Sequence, residues 1–121
     1  MAETVRNANV PRNLKPYFLC LLKRGARWDD TEGDTELLPR HLAYLRHRFE
    51  EGSCRIAGPV LDESGIAGVT MIEARNLAAA QKIADEDPAV ASGRLVAELH
   101  PVLVPALDGV RAEYSVETNK E

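Results

Sequence analysis

The sequence has little of what several functional classes require. Of its 121 residues only two are cysteines, only 5% are aromatic, and acidic residues outnumber basic ones by 19 to 15, for a net charge of −4. A negative balance argues against a general binder of nucleic acid or anionic membranes. No apolar run reaches the roughly 20 residues of a membrane span, and the N-terminal segment has no signal-peptide core. We therefore expect a cytoplasmic protein with neither nucleic acid nor membrane as a partner.

The two cysteines, Cys20 and Cys54, predict neither a disulfide framework nor a zinc site, because no CxxC pair or histidine cluster accompanies them. Cys20 lies inside an apolar run over 17–22, where a free thiol packs as a small apolar side chain. The histidines form no HxxxH or HxH pattern, and the glycines at 65 and 68 lack the context of a phosphate loop. We expect two free thiols, no metal and no cofactor.

The length, with 45% hydrophobic and 28% charged residues, fits one globular domain. We expect a polar N-terminal tail over 1–14, a folded domain over 15–103 and a C-terminal extension over 104–121. Alternating apolar and polar residues within 110–117 are compatible with an added edge strand in that extension.

Hydrophobic spacing predicts the element order β-α-β-β-α-β. Strands are expected at 17–22, 53–59, 68–74 and 95–99, and helices at 38–51 and from Asn76 to about Asp87. The acidic segment 27–36 is expected to be a loop, and the Asp87-Pro88 pair is expected to end the second helix. This order is the ferredoxin-like arrangement, an α+β fold with an antiparallel sheet and both helices on one face.

The predicted sheet carries apolar side chains on both faces. In the first strand Leu19 and Leu21 point to one side, whereas Cys20 and Leu22 point to the other. Two helices cover only one face, and a bare apolar sheet is not expected on a stable monomer. The pattern predicts a homodimer that packs sheet on sheet, with pockets between each sheet and its neighbouring loops.

Two of the three histidines lie on the first predicted helix in different settings. At about 100° per residue, His47 lies almost opposite the apolar stripe centred near Leu45, whereas His41 lies on its flank. We expect His47 to face solvent. His41 is either a boundary histidine that bonds a backbone carbonyl or a general base, and the second role needs a carboxylate partner.

Asp62 is the candidate partner, because it lies just past a strand end, where loops gather to form sites. A carboxylate there would fix the tautomer of the imidazole and stabilise its cation. The alternative for Asp62 is a plain turn residue. Arg48 shares the flank of His41 and could hold an anionic substrate. Glu98 points at an otherwise apolar sheet face, where an unpaired carboxylate is costly, so it is a further pocket candidate. His100, at the end of a strand, is expected to be structural.

The chain resembles the YCII-related family over roughly residues 15–103. Six short motifs in order carry the resemblance: His41-Leu42-Ala43-Tyr44-Leu45, Gly52, Ala57-Gly58-Pro59 with Asp62, Ile72-Glu73-Ala74, Asp87-Pro88, and Glu98 before Pro101. The resemblance implies a dimeric α+β barrel and a catalytic dyad of His41 and Asp62. It also adds Asp87 to Arg48 and Glu98 as an expected substrate-binding residue. The wider superfamily includes muconolactone isomerase and a dehydrochlorinase of hydroxylated aromatics.

Two functions of different classes remain open. The first is an isomerase or dehydrohalogenase-like lyase that transfers a proton, without a cofactor, on a cyclic or aromatic oxygenated small molecule. In it His41 is the base, Asp62 orients the base, and Arg48 or Glu98 contacts the substrate. The second is a noncatalytic dimer that binds a metabolite or another protein. A contact of His41 with Asp62 that opens into a pocket would favour the enzyme.

Overall fold

The computed structural model describes residues 14–29 and 36–105. Its elements are β1 (Leu14–Arg24), α1 (Leu37–Glu51), β2 (Cys54–Pro59), β3 (Ile66–Ile72), α2 (Leu77–Asp85), α3 (Pro88–Ala91) and β4 (Leu95–Pro105). The strands form one antiparallel sheet in the order β2-β3-β1-β4. The expected α+β class and ferredoxin-like order are confirmed. The possible edge strand within 110–117 lies outside the described residues.

The last strand, β4, continues past the stop that was expected at His100-Pro101 and runs to Pro105. Proline removes a ladder hydrogen bond, so it is tolerated where the strand has a neighbour on one side only. Within residues 14–29 and 36–105 β4 is such an edge strand, since it pairs there with β1 alone. Pro16 is tolerated in β1 for the same reason, because β3 pairs with β1 only from Phe18 onward.

The Asp87-Pro88 pair was expected to be a helix stop, and the structure gives it a second role. α2 ends at Asp85, and Pro88 then opens the short helix α3 with Asp87 as its N-cap. Proline suits a first helical position because its missing N–H would be unpaired there, and aspartate is a favoured N-cap. The aspartate is therefore held in a fixed direction at the start of α3.

The core lies between the sheet and the helices. β1 contributes Cys20 and Leu22, and small residues of α2 and α3 allow close packing; the buried cluster is Cys20, Leu22, Ile72, Ala80, Ala84, Ala89 and Leu95. Both cysteines are free, as expected, and both are buried. Burial raises the pKa of the Cys54 thiol to about 11 and also raises that of Cys20.

Helix α1 buries a slightly different stripe from the one expected. Leu38 is 63% exposed, and Leu37 is the buried leucine of the first turn. Gly52 ends α1 in the left-handed conformation, with a φ of 95°. His47 faces solvent as expected. No helix in the described ranges is long and apolar enough to cross a bilayer.

The sheet face opposite the helices is also apolar. Register places Leu19 beside Met71 and Leu21 beside Val69 on this face, which we call the open face. Ile56 is paired with Met71 and is exposed. The two-sided apolar pattern of the sheet is therefore present in the structure.

Two turns that follow β1 and precede β4 are joined by main-chain and side-chain hydrogen bonds. Gly25 N donates to Arg94 O at 2.8 Å and Arg27 N donates to Gly93 O at 3.0 Å. Arg27 Nη1 donates to Ser92 O at 3.1 Å, and Arg94 Nε donates to Trp28 O at 3.0 Å. We call this set the turn clasp. It fixes the position of Trp28 relative to the start of β4.

The turn clasp predicts that Gly25→Ala is destabilising. A Cβ at Gly25 would fall against the carbonyl oxygen of Gly93 and 3.2 Å from the carbonyl carbon of Arg94, and neither backbone atom can move aside cheaply. We expect a loss of about 1–3 kcal/mol in the free energy of unfolding, measured by urea denaturation. Gly58→Ala is the matched control, because a Cβ there meets nothing within 4 Å. Equal stability of the two variants would contradict this account.

Candidate active site

A cavity of about 710 Å³ lies between α1 and the helix-facing side of the sheet. Its lining is mostly aliphatic; among the described residues it consists of Leu22, Trp28, Leu37, Leu38, His41, Leu42, Leu45, Ala57, Gly58, Pro59, Ala67, Gly68, Val69, Thr70, Ala89, Arg94 and Leu95. Volumes of 300–1,000 Å³ are usual for small-molecule sites. The cavity is thus large enough for a ring-sized ligand and offers it few polar contacts.

His41 enters this cavity from α1 with one nitrogen already engaged. Its Nδ1 lies 2.8 Å from Oδ1 of Asp87, and the two side chains are 16% and 4% exposed. An ionised carboxylate only accepts hydrogen bonds, so the neutral imidazole donates through Nδ1–H. No hydrogen bond within the described part of the chain engages Nε2 of His41. That nitrogen is therefore the one with an available lone pair on the cavity side.

The fold positions Asp87 through its role as a helix cap. Oδ1 of Asp87 also accepts from the backbone N–H of Ala89 at 2.9 Å. Asp87 is absent from the lining of the large cavity and lines a separate space of about 20 Å³. The carboxylate therefore acts on His41 from the protein side, while the imidazole ring faces the cavity.

Arg48 was expected to hold an anionic substrate, but its donors are committed elsewhere. Nε donates to Tyr44 Oη at 2.8 Å, Nη1 to Glu51 at 2.6 Å and Nη2 to Glu86 at 2.9 Å. Tyr44 Oη in turn donates to the carbonyl of Ile83. These bonds attach α1 to the end of α2, just before Asp87. Arg48 is absent from the lining of the large cavity.

Asp62 lies in the turn between β2 and β3, and the structure does not bring it to His41. Its Oδ1 accepts from the Ser64 hydroxyl at 2.7 Å and from the Ser64 amide at 3.1 Å. These bonds hold the pKa of Asp62 below its ordinary value. The plain turn alternative describes this arrangement, and the carboxylate that meets His41 is that of Asp87 instead. An aspartate directly before a helix-opening proline is the sequence signal for an N-cap, but that signal does not show that Asp87 meets His41.

Glu98 lies on the open face and not in the cavity. It is opposite Leu21 in the register of β1 and β4, and it pairs with Lys23 Nζ at 2.6 Å and His100 Nε2 at 3.1 Å. The Lys23 ammonium lowers the pKa of Glu98 below its ordinary value, and His100 makes a smaller contribution in the same direction. The expected cost of a carboxylate on an apolar face is thus offset by ion pairs.

No group of three or more metal-ligating side chains occurs within residues 14–29 and 36–105. The site is therefore described by its imidazole, its carboxylate and the cavity lining.

The sequence matches the model of a known protein family. The model of the YCII-related domain matches residues 17–101, which is most of the sequence. The chain belongs to the YCII-related family. The resemblance inferred from the short motifs is confirmed, and the matched range of this YCII-related protein contains both His41 and Asp87.

This YCII-related protein is similar in fold to a solved structure of an enzyme. It is the 5-chloro-2-hydroxyhydroquinone dehydrochlorinase of Burkholderia phenoliruptrix AC1100, in complex with 2,5-dihydroxybenzoquinone. The two chains are 15% identical with a TM-score of 0.52, and the match covers 73% of this chain and 91% of that chain. No curated protein matches the sequence. At this identity the structural likeness establishes the fold.

The contact between His41 and Asp87 predicts the tautomer of the neutral imidazole. We expect the Nδ1–H form of His41 to dominate in the native protein, because the carboxylate requires a donor. Asp87→Asn should reduce that preference, since an amide offers both a donor and an acceptor. Long-range ¹H–¹⁵N NMR of the histidine rings measures the tautomer directly.

Asp62→Asn is the control for this experiment, because it removes the same charge from the carboxylate that the structure keeps bonded to Ser64. His41 should keep its tautomer in that variant. A response to Asp62→Asn equal to the response to Asp87→Asn would show that the assignment of the partner is wrong.

Proposed function

We propose that this YCII-related protein is a small enzyme that transfers a proton on a cyclic or aromatic oxygenated molecule without a cofactor. The observation that carries the proposal is the imidazole of His41, which lines the cavity while Asp87 engages its Nδ1 from behind. A base oriented by a nearly buried carboxylate is the arrangement that general base catalysis needs. In this proposal Asp87 takes the role that was expected of Asp62.

The proposed reaction begins when Nε2 of His41 removes a proton from a carbon or hydroxyl of the ring compound. Asp87 stabilises the imidazolium that forms, and it does not itself accept the proton. In an isomerisation the imidazolium returns the proton to a different atom of the substrate. In an elimination the electron pair of the broken bond forms a double bond, the leaving group departs with its own pair, and the proton passes to water.

The lining supports the proposed class of substrate. Aliphatic side chains and Trp28 suit the faces of a ring, and His41 and Thr70 offer polar contacts to its oxygen atoms. The dehydrochlorinase of the same fold was solved with 2,5-dihydroxybenzoquinone, a ring that carries two hydroxyl and two carbonyl oxygens. This supports an oxygenated ring as the first ligand class to test.

The proposal predicts how variants of the site behave once a substrate is found by a thermal-shift screen of hydroxylated and halogenated aromatics. We expect His41→Ala to lower kcat by roughly 10²- to 10⁴-fold and Asp87→Asn by at least about tenfold. Asp62→Asn should retain full activity. The measurement is the initial rate with the identified compound.

Two results would contradict the enzyme. Full activity in His41→Ala would remove the imidazole from the mechanism. Tight binding of screened compounds with no turnover of any of them would favour the alternative, a noncatalytic module in which His41 only bonds the ligand.

We further propose that the protein is a homodimer through the open face. Supporting this, the face carries leucine, methionine and isoleucine side chains in register, and Ile56 and Val96 are among its exposed members. A self-complementary apolar patch is buried when two copies meet about a twofold axis. The helix layer and the cavity lie on the other side of the sheet, so both copies keep their sites.

The homodimer predicts that Leu21→Asp dissociates the protein before it unfolds the helix layer. Sedimentation of the wild type should give twice the monomer mass of 13.3 kDa, and the variant should approach that mass itself. Leu61→Asp is the matched control, because Leu61 lies in the β2–β3 turn and is 92% exposed. A wild type that stays monomeric at micromolar concentration would sink this proposal.

A cytoplasmic location is proposed on the same footing. Its support is the pair of free, buried thiols, since unpaired cysteines are typical of reducing compartments.

A further inference from the structure

We infer that Tyr44 is a positioning residue of the candidate site: its hydroxyl replaces the Asp87 amide as a donor at the end of α2 and thereby sets how Asp87 meets His41. Tyr44 acts through Asp87, since it is absent from the lining of the large cavity. Its effect on catalysis rests on the proposed function, whereas its effect on the geometry of His41 does not.

The evidence begins at the backbone carbonyl of Ile83 in the last turn of α2. In a regular α-helix this carbonyl accepts from the amide four residues later, which is that of Asp87. The Asp87 amide donates instead to Ala84 O at 3.3 Å, only three residues back, so the end of the helix is tightened. The Tyr44 hydroxyl donates to the Ile83 carbonyl in its place. A hydroxyl from α1 thus supplies the hydrogen bond that the Asp87 amide would otherwise make.

This exchange of donors determines where the chain leaves α2. Asp87 has an extended backbone with a ψ of 128°, and its side chain caps α3. Without the hydroxyl, the Ile83 carbonyl would either lose its hydrogen bond or recover the amide of Asp87. Recovery of that amide would extend the hydrogen bonding of α2 by one residue and shift Asp87 relative to His41.

Arg48 fixes the direction of the Tyr44 hydroxyl. Nε of Arg48 donates to Tyr44 Oη at 2.8 Å, and a guanidinium cannot accept, so the hydroxyl proton is left for Ile83. Nη2 of the same guanidinium donates at 2.9 Å to Glu86, the residue directly before Asp87. Burial raises the pKa of Tyr44, so the hydroxyl keeps its proton throughout the neutral range.

Both ends of the Tyr44 contact lie about one helical turn from the imidazole and its carboxylate. Tyr44 follows His41 by three residues on α1, which places the two on neighbouring positions of one helix surface. Ile83 precedes Asp87 by four residues. A change in the contact between Tyr44 and Ile83 is therefore expected to change the contact between His41 and Asp87.

The test is Tyr44→Phe, which removes the hydroxyl and keeps the ring. We expect the ratio of the Nδ1–H to the Nε2–H tautomer of neutral His41 to fall by at least about twofold, as the loss of one backbone hydrogen bond allows. Long-range ¹H–¹⁵N NMR measures this ratio at a pH above the titration range of histidine. The chemical shift of the Asp87 amide should change in the same sample, because its acceptor changes.

Asn76→Ala is the matched control for stability. Asn76 caps α2 at its other end, where its Oδ1 accepts from the Ala79 amide at 2.8 Å. Loss of this cap weakens the same helix and leaves the Tyr44 hydroxyl in place. The tautomer ratio of His41 should therefore keep its wild-type value, even where urea denaturation shows an equal loss of stability in the two variants.

Two further variants keep the test decisive. Should Tyr44→Phe fail to fold, Arg48→Lys keeps the charge beside Glu86 but loses the bond through Nε, and it should shift the tautomer ratio in the same direction by a smaller amount. The double variant with Tyr44→Phe and Asp87→Asn shows whether Tyr44 acts through Asp87. Its tautomer ratio should equal that of Asp87→Asn alone.

Once a substrate is identified, the kinetic constants give a second readout. Tyr44→Phe should lower kcat by at least about threefold and leave KM within about twofold of the wild-type value, because Tyr44 lies outside the lining that would bind the ligand. Asn76→Ala should leave kcat unchanged at a temperature where the protein is folded.

Three results would overturn the inference: an unchanged tautomer ratio in folded Tyr44→Phe, an equal shift in Asn76→Ala, or a further shift when Tyr44→Phe is added to Asp87→Asn. None of these NMR measurements requires turnover. A tautomer shift in Tyr44→Phe, in a protein that turns over none of the screened compounds, would refute the proposed enzyme and leave the positioning role intact. Turnover that His41→Ala abolishes, with a tautomer that Tyr44→Phe leaves unmoved, would do the reverse.

Discussion

The site depends on the hydrogen bonds accepted by one buried carboxylate oxygen. Oδ1 of Asp87 accepts from the amide of Ala89 and from the ring of His41, and the side chain is 4% exposed. A buried carboxylate is costly unless it is hydrogen-bonded. The bond to Ala89 is local to the start of α3, whereas the bond to His41 forms only when α1 packs against α3. The bonds of Tyr44 and Arg48 to the end of α2 bring the same two parts of the chain together. The position of the imidazole follows from this packing.

The two faces of the sheet carry different ionisable groups. Its helix-facing side lines the cavity, where the ionisable groups are His41 and Arg94 among the described residues. Its open face carries the ion pairs of Glu98 with Lys23 and His100 amid apolar side chains. Because side chains alternate along a strand, one residue of register moves a group from one face to the other. The sequence pattern located Glu98 on the correct face, but pairing with Lys23 rather than a pocket explains its presence there.

Much of the fold was predictable because the local spacing of apolar residues indicates where strands and helices form. Apolar periodicity gave the strands and helices in order, and the same pattern showed an apolar second face. The partner of His41 was not predictable in this way, because the contact between α1 and α3 joins residues 46 positions apart. The Asp87-Pro88 pair is explained locally by a helix stop, so it gave no indication of the hydrogen bond between Asp87 and His41. The end of β4 was misplaced for a related reason, since a proline stops a central strand but not an edge strand.

The positions of Arg48 and Arg94 were also not predictable from local spacing alone. The pairing of Arg48 with Glu51 can be read from a spacing of three on a helix, but its second carboxylate, Glu86, arrives through tertiary packing. No helix or strand spacing predicted the position of Arg94, because it follows Gly93, whose φ of 89° belongs to a turn. The turn clasp is what carries its guanidinium to the cavity wall. Charge alone therefore cannot show which arginine lines the cavity, whereas the backbone that holds each arginine does.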